Sequence, residues 1–105
     1  MRFKITVLKK MSNPELADQY LRNGASDSIC RVFTEGQEFI MDFDDGKPAD
    51  FCTWAWGDIH GYLRMFMTGG DMGERVEWMK DDRMMITCCS DGIRPVIFKI
   101  EVIEP

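Results

Sequence analysis

The sequence contains a single histidine among its 105 residues, so every histidine-dependent mechanism would have to rest on His60. It also lacks a Cys-x-x-Cys pair, a glycine-rich phosphate loop after a strand, a His-Glu-x-x-His pattern and a Ser-His-Asp order. These absences leave no familiar catalytic constellation and no cofactor motif. The catalytic residues and the cofactor stay unassigned, and the question of enzymatic activity stays open.

Long apolar runs and an excess of basic charge are missing as well. Thirteen basic and eighteen acidic residues give a net charge of −5, which is not the charge pattern of a nucleic-acid-binding domain. The apolar stretches are interrupted well before the ~20 residues that a membrane-spanning helix needs. Residues 1–4 lead into an alternating pattern without the apolar segment of a secretory signal. We therefore expect a cytoplasmic protein that binds neither nucleic acid nor membrane.

The composition that is present fits one folded domain covering residues 1–105. Hydrophobic residues make up 45% of the chain and charged residues 30%, which is enough to form a core and unlike a disordered segment. A chain of this length is too short for two independently folded units.

Four segments have the alternation or the β-branched and aromatic content of strands. They cover residues 3–9, 37–43, 84–89 and 96–103, and the last two are joined by a loop rich in turn residues, which predicts a hairpin. The predicted buried faces carry Phe3, Ile5 and Val7 in the first strand, Phe39, Met41 and Phe43 in the second, and Val96, Phe98, Ile100 and Val102 in the last.

Two further segments have helical signals. The first begins near Asn13, which can cap a helix, with Pro14 in the first helical position, and it ends before Gly24. The second covers residues 50–67 and is the predicted core helix. The predicted apolar stripes are Leu16, Ala17, Tyr20 and Leu21 in the first helix, and Trp56, Ile59, Leu63 and Phe66 in the second.

The region between the core helix and the hairpin, residues 71–82, is acidic and irregular. Val76 and Trp78 indicate a short edge strand within an otherwise loop-like segment. The resulting order is β-α-β-α-(β)-β-β. This order predicts an α+β fold, with a small antiparallel or mixed sheet and two helices packed on it.

Two runs of the sequence resemble a family of small prokaryotic proteins of similar length, frequent in anaerobes, whose function is unassigned. The first run is Phe51-Cys52-x-Trp54-Ala55-Trp56, and the second is Cys88-Cys89-x-Asp91-Gly92-x-Arg94-Pro95-Val96-x-Phe98-Lys99. The likeness extends to the first strand and to the segment from Phe33 to Phe39. The resemblance implies a stand-alone small domain in a reducing cytoplasm and carries no catalytic or ligand residue with it.

Four cysteines, Cys30, Cys52, Cys88 and Cys89, are many for a short chain, and in a reducing compartment we expect free thiols. If Cys88 and Cys89 lie on a strand, their side chains point to opposite faces, so the two would not chelate one ion together. A thiol or metal site that draws on these cysteines and His60 is the alternative.

Cys52 and His60 each have two readings. Near the start of the core helix, free backbone N–H groups favour a Cys52 thiolate, but the apolar stripe of that helix favours a buried neutral thiol. His60 shares the helix face of Arg64, away from Leu63, which predicts a solvated side chain, and the alternative is a general base.

The loop Asp91-Gly92-x-Arg94-Pro95 is the strongest candidate for binding. Asp91 and the glycine suit a tight turn, whereas Arg94 has no structural requirement there. A guanidinium at a rigid turn beside Trp54 and Trp56 could bind a carboxylate or phosphate. The alternative is an ion pair of Arg94 with Asp58 or Asp91.

From these observations we expect a cytoplasmic accessory or binding domain that recognises a protein partner, a second copy of itself, or a small anionic ligand. The predicted ligand-binding residues are Arg94, Asp91, Trp54 and Trp56. The alternative is a thiol- or metal-dependent redox protein that uses Cys52 and Cys88 or Cys89, with Cys30 and His60 as further candidates.

Overall fold

The computed structural model describes residues 1–73 and 77–105, and within them it has the predicted α+β architecture. Four strands form one fully antiparallel sheet in the order β2-β1-β4-β3. The elements are β1 (Arg2–Lys10), α1 (Pro14–Tyr20), β2 (Glu38–Asp42), α2 (Thr53–Met67), β3 (Met84–Cys88) and β4 (Val96–Glu104), with short 3-10 helices at Gly24–Asp27 and Phe43–Asp45.

The two nine-residue strands, β1 and β4, form the centre of the sheet. Ile5 lies opposite Ile100 and Val7 lies opposite Phe98, so the apolar positions of both strands share one face, as their alternation predicts. The pairing register of β1 with β4 shifts by one residue between Val7 and Lys9. After this shift, the β1 side chains that would face one side of the sheet face the other. Lys10 therefore lies opposite buried Val96 and points to the apolar side of the sheet.

Helix α2 covers that apolar face. Its buried residues are Ala55, Ile59, Leu63 and Phe66, which lie three or four residues apart on one side of the helix. The prediction for the last three is confirmed. The prediction that Trp56 shares the fully buried stripe is wrong, because the small Ala55 faces the sheet and Trp56, the next residue around the helix, is only half-buried.

Four phenylalanines fill the space between the start of α2 and the sheet. Phe51 packs edge-on against Phe33 and Phe39, with ring centroids 5.0 Å and 4.9 Å away, and it lies 5.4 Å from Phe98. Such edge-to-face pairs add to the stabilisation from burial alone. Phe33 comes from an irregular segment, so this cluster fixes part of the chain that regular structure does not.

Helix α1 differs most from its prediction. It has seven residues, and Ala17 is its only buried residue. Tyr20 is 75% exposed and Leu16 is 43% exposed, so the predicted apolar stripe is wrong. The helix ends four residues before Gly24, which has φ +60° and begins a 3-10 helix.

The other face of the sheet has no helix on it among the described residues. Lys4 lies at its centre, 3.7 Å from carboxylate oxygens of both Glu38 and Glu101, and Lys99 lies 3.3 Å from Glu101. Charges of alternating sign therefore cross three strands. Such a surface is compatible with water and explains why the sheet is stable with one covered face.

Val76, one of the two residues that indicated an edge strand between α2 and the hairpin, lies outside the described residues. Trp78 lies in irregular structure and is exposed. Within the two described ranges, no helix has both the length and the apolar composition of a membrane span.

Candidate functional site

A cavity of about 490 Å³ lies at one end of the domain, where three distant parts of the chain meet. One wall is residues 24–33, the 3-10 helix Gly24–Asp27 and the irregular chain after it, which we call the wall segment. The second is the beginning of α2, and the third is the β3–β4 loop. The lining residues from these parts include Asp27, Cys30, Cys52, Trp54, Asp58, Cys89, Asp91 and Arg94.

The β3–β4 loop is held by the Asp91 carboxylate. Its Oδ1 accepts the backbone N–H groups of Ile93 and Arg94, each at 2.9 Å, and its Oδ2 accepts the Arg94 Nε–H at 3.0 Å. Burial raises the pKa of Asp91, but these hydrogen bonds and the nearby guanidinium outweigh burial and lower the pKa below its ordinary value. The turn is therefore anchored by an ionised carboxylate.

Arg94 is paired with two carboxylates. Besides the contact with Asp91, its Nη1 lies 3.5 Å from Oδ2 of Asp27 in the wall segment. Of the two ion pairs considered from the sequence, the one with Asp91 forms. Asp58 instead accepts the backbone N–H of Ser90 at 2.7 Å and ties α2 to the loop.

The two tryptophans proposed for the site lie in different environments. Trp54 lines the cavity and is 83% exposed. Trp56 packs against Phe51 and His60, with ring centroids 5.7 Å and 5.4 Å away, and is absent from the lining. Residues two apart on a helix point in nearly opposite directions, which is the physical reason that only one of them reaches the cavity.

His60 is not the solvated side chain that its helical position predicts. It is half-buried, and its ring lies 5.6 Å from that of Phe43 and 5.4 Å from that of Trp56. The 3-10 helix after β2 supplies Phe43, a contact that helical periodicity alone does not reveal. His60 is therefore an aromatic packing residue away from the cavity lining.

Three of the four cysteines line the cavity and are half-buried: Cys30, Cys52 and Cys89. The Sγ of Cys30 accepts the backbone N–H of Val32 at 3.4 Å, and the Sγ of Cys89 accepts that of Val96 at the same distance. Cys52 occupies the N-cap position of α2. All three also pack against the hydrophobic core.

Cys88 is separated from the other three by strand geometry. It ends β3, lies opposite Ile97 and is exposed, whereas the next residue, Cys89, faces the cavity. All four cysteines are free, as expected. Within residues 1–73 and 77–105, no group of three or more His, Cys, Asp or Glu side chains is arranged to hold a metal ion.

The sequence analysis did not assign Asp27, Lys10 or Asn13 to the site. The Lys10 Nζ donates to the carbonyl of Cys30 at 3.0 Å, which the register shift in β1 makes possible. Asn13 is the N-cap residue of α1, but its side chain makes no capping bond and donates instead to the carbonyls of Gly92 and Ile93, at 3.3 Å and 3.2 Å. Only the polar residues between β1 and α1 hinted at such contacts.

Comparisons with known proteins find no relative of this chain. The chain matches no protein-family model, no curated protein and no solved structure. The resemblance to the family of small prokaryotic proteins therefore stays a prediction, and the function has to be argued from the cavity itself.

Proposed function

We propose that this domain binds a small anionic ligand in the cavity between the wall segment, the start of α2 and the β3–β4 loop. The observation that carries the proposal is the meeting of Arg94, Asp91 and Trp54 at one cavity, although they come from separate parts of the chain. Its volume of about 490 Å³ lies in the range of small-molecule sites, roughly 300–1,000 Å³.

The two carboxylates on Arg94 have different roles in the proposal. Asp91 is fixed by two backbone N–H bonds and holds the guanidinium plane in place. Asp27 makes the longer contact, 3.5 Å against 3.0 Å, so it is the easier one for an incoming carboxylate or phosphate to replace. In this view Asp27 occupies the anion position in the ligand-free protein.

Trp54 supplies the apolar part of the proposed site. The indole of Trp54 is 83% exposed, so a flat or apolar group that covers it is bound favourably. Tryptophan is also frequent at binding hot spots. Asp58 lies one helical turn further along α2 and keeps the loop against the helix through Ser90. The ligand expected from this arrangement carries an anionic group for Arg94 and a flat group for Trp54.

A protein segment is the second candidate for the same surface. Val32 and Ile29 are exposed in the wall segment and line the cavity together with Trp54, which gives the rim a partly apolar character. A partner chain or a second copy could insert a side chain there.

We keep the cytoplasm as the proposed location of the protein, since four free cysteines are typical of a reducing compartment.

Calorimetric titration with phosphate, succinate and a nucleoside monophosphate tests the proposal. We expect at least one of them to bind, Arg94→Gln to weaken binding about tenfold or more, and Asp27→Asn to strengthen it. Trp54→Ala should weaken binding as well. Trp78→Ala, which removes another exposed tryptophan outside the cavity lining, is the matched control and should change nothing.

Two outcomes would refute the anion site: none of the three probes binds, or Trp54→Ala and Trp78→Ala have equal effects. Light scattering over an about hundredfold range of protein concentration examines the second candidate. A dimer that Trp54→Ala dissociates and Trp78→Ala does not would assign the surface to a second copy.

A further inference from the structure

Three thiols from separate parts of the chain converge on one cavity: Cys30 from the wall segment, Cys52 from the start of α2 and Cys89 from the end of β3. Each of them is half-buried and packs against the hydrophobic core on one side. We infer that the cavity is a site of thiol–disulfide exchange with small disulfides, in which Cys30 is the attacking thiol. This inference does not require the reversible anion site proposed above.

Cys30 is less constrained by regular structure than the other two thiols, because Cys52 is the N-cap residue of α2. The Cys30 carbonyl accepts a hydrogen bond from Lys10 Nζ at 3.0 Å, and the Cys30 Sγ accepts the Val32 N–H at 3.4 Å. Cys89 is fixed in a backbone pair with Val96, which both accepts the Cys89 N–H at 3.2 Å and donates to its sulfur at 3.4 Å. Cys30 lies in irregular structure, where no strand partner restricts its approach.

Arg94 and Cys30 line the same cavity. The pKa of Arg94 is raised by its hydrogen bond to Asp91 and by the charge of Asp91, so the guanidinium stays positively charged. A positive charge in the cavity stabilises the negative charge that a sulfur carries in the exchange step. Asp27, which lies 3.5 Å from the same guanidinium, opposes this effect.

The reaction needs no partner beyond the disulfide itself. The Cys30 thiolate attacks one sulfur of a disulfide R–S–S–R, a new bond forms between Sγ and that sulfur, and the S–S bond of the reagent breaks. The bond's electron pair leaves with the second sulfur as the thiolate R–S⁻. The products are a mixed disulfide at Cys30 and one equivalent of thiol, so the protein sulfur is oxidised and the leaving sulfur is reduced.

Cys88 is an internal reference for the test, because it is an exposed thiol that faces away from the cavity. The full chain is reduced, freed of reductant and mixed with 2-hydroxyethyl disulfide, and peptide mass spectrometry follows each cysteine with time. We expect Cys30 to form the mixed disulfide several-fold faster than Cys88, although Cys30 is less accessible. A faster reaction at Cys88 would overturn the inference.

Two substitutions, one that removes a positive charge and one that removes a negative charge, separate an electrostatic effect on the reaction rate from an effect of unfolding. Arg94→Gln should slow the reaction of Cys30 by about three- to tenfold, and Asp27→Asn should accelerate it by a similar factor, with Cys88 unchanged in both. A merely structural role would open the cavity and shift both variants in the same direction, which would refute the inference. Asp27→Asn removes only an ion pair whose two side chains are about one-third exposed, so it keeps the test decisive if Arg94→Gln fails to fold.

A third variant separates this inference from the proposed function. Cys30→Ser removes the attacking sulfur and leaves Arg94 and Trp54 in place. If anions bind this variant but native Cys30 reacts more slowly than Cys88, the exchange site is refuted and the anion site stands. If no anion binds but Cys30 shows the expected rates, the exchange site stands alone.

Discussion

The sheet with its covering helix and the wall segment beside it are stabilised in different ways. In the first region, three of the four residues on the buried side of α2 are large apolar side chains that are at most 1% exposed, and they face the fully buried residues of β1 and β4. In the wall segment only Phe33 is buried and Cys30 packs partly against the core, and several other contacts are polar, such as Arg94 to Asp27 and Lys10 to the carbonyl of Cys30.

This difference separates stability from the site. Burial of apolar surface supplies most of a small domain's stability, and most of the buried side chains belong to the sheet or to α2. Partly exposed ion pairs and single hydrogen bonds contribute much less each. The cavity can therefore change shape, exchange a carboxylate on Arg94 or accept a ligand without unfolding the domain, and substitutions in the two regions should differ clearly in their effects.

The largest effect is expected in the sheet and α2. Leu63 is fully buried, so Leu63→Ala should lower the free energy of unfolding by about 2–5 kcal/mol. Leu16→Ala on α1 makes the same chemical change at a side chain that is 43% exposed, and it should cost well under 1 kcal/mol. Urea denaturation measures both, and similar losses would show that α1 contributes to the core.

An intermediate effect is expected at the β3–β4 loop. Asp91→Asn keeps an oxygen for the backbone N–H groups but loses the charge that pairs with Arg94. At neutral pH it should cost about 1 kcal/mol, less than a buried hydrogen bond to a charged group, because the side chain is 34% exposed and water screens the charge. The folded pKa of Asp91 lies below its ordinary value of 3.8. Its ionised form therefore stabilises the fold above that pH, and the contribution is lost as the pH falls through the folded pKa.

Denaturation of the wild-type protein and the Asp91→Asn variant between neutral pH and about pH 2.5 tests this sign. The difference between their unfolding free energies should shrink at the acidic end. Asp81→Asn is the matched control, because Asp81 accepts one backbone N–H, from Arg83 at 2.8 Å, and within the described contacts pairs with no cation. A difference that grows on acidification would contradict the interpretation of Asp91.

The smallest effect on global stability is expected in the wall segment. Asp27→Asn removes an ion pair whose two side chains are about one-third exposed, so it should change the free energy of unfolding by less than about 1 kcal/mol. Local opening is a more sensitive measurement. Hydrogen exchange of the amides of residues 25–33 should become up to about fivefold faster, whereas the amides of β1 and β4 stay unchanged. Asp44→Asn, at an exposed carboxylate outside the segment, is the control.

Sequence periodicity predicted burial correctly for residues whose helix or strand packs along its length against an apolar surface. Alternation placed Ile5 and Phe98 correctly, and helical spacing placed Leu63, because each faces a continuous apolar surface. The same reasoning failed for Tyr20, since a seven-residue helix lies against too little of the domain to bury its stripe. It failed for Trp56 because the neighbouring alanine fits closer to the sheet.

The candidate site was predicted in part, and the part that was missed depends on long-range contacts. Turn chemistry identified Asp91 and Arg94, whose mutual contact spans three residues. The other partner of Arg94, Asp27, lies 67 positions earlier in the sequence, and no local sequence pattern predicts this contact. Asn13 was assigned to the cap of its own helix, but in the folded chain its side chain holds the loop after β3.

By itself the sequence determined the α+β class, the sheet faces, the core helix and the tight turn at Asp91, because each follows from the side-chain period or the conformational preference of a few neighbouring residues. Tertiary structure alone decided that three cysteines share one cavity, that Trp54 reaches this cavity and Trp56 does not, and that Asp27 pairs with Arg94. These outcomes depend on how strands, helix and wall segment meet in space, and a register shift of one residue in β1 is enough to direct Lys10 to the wall segment.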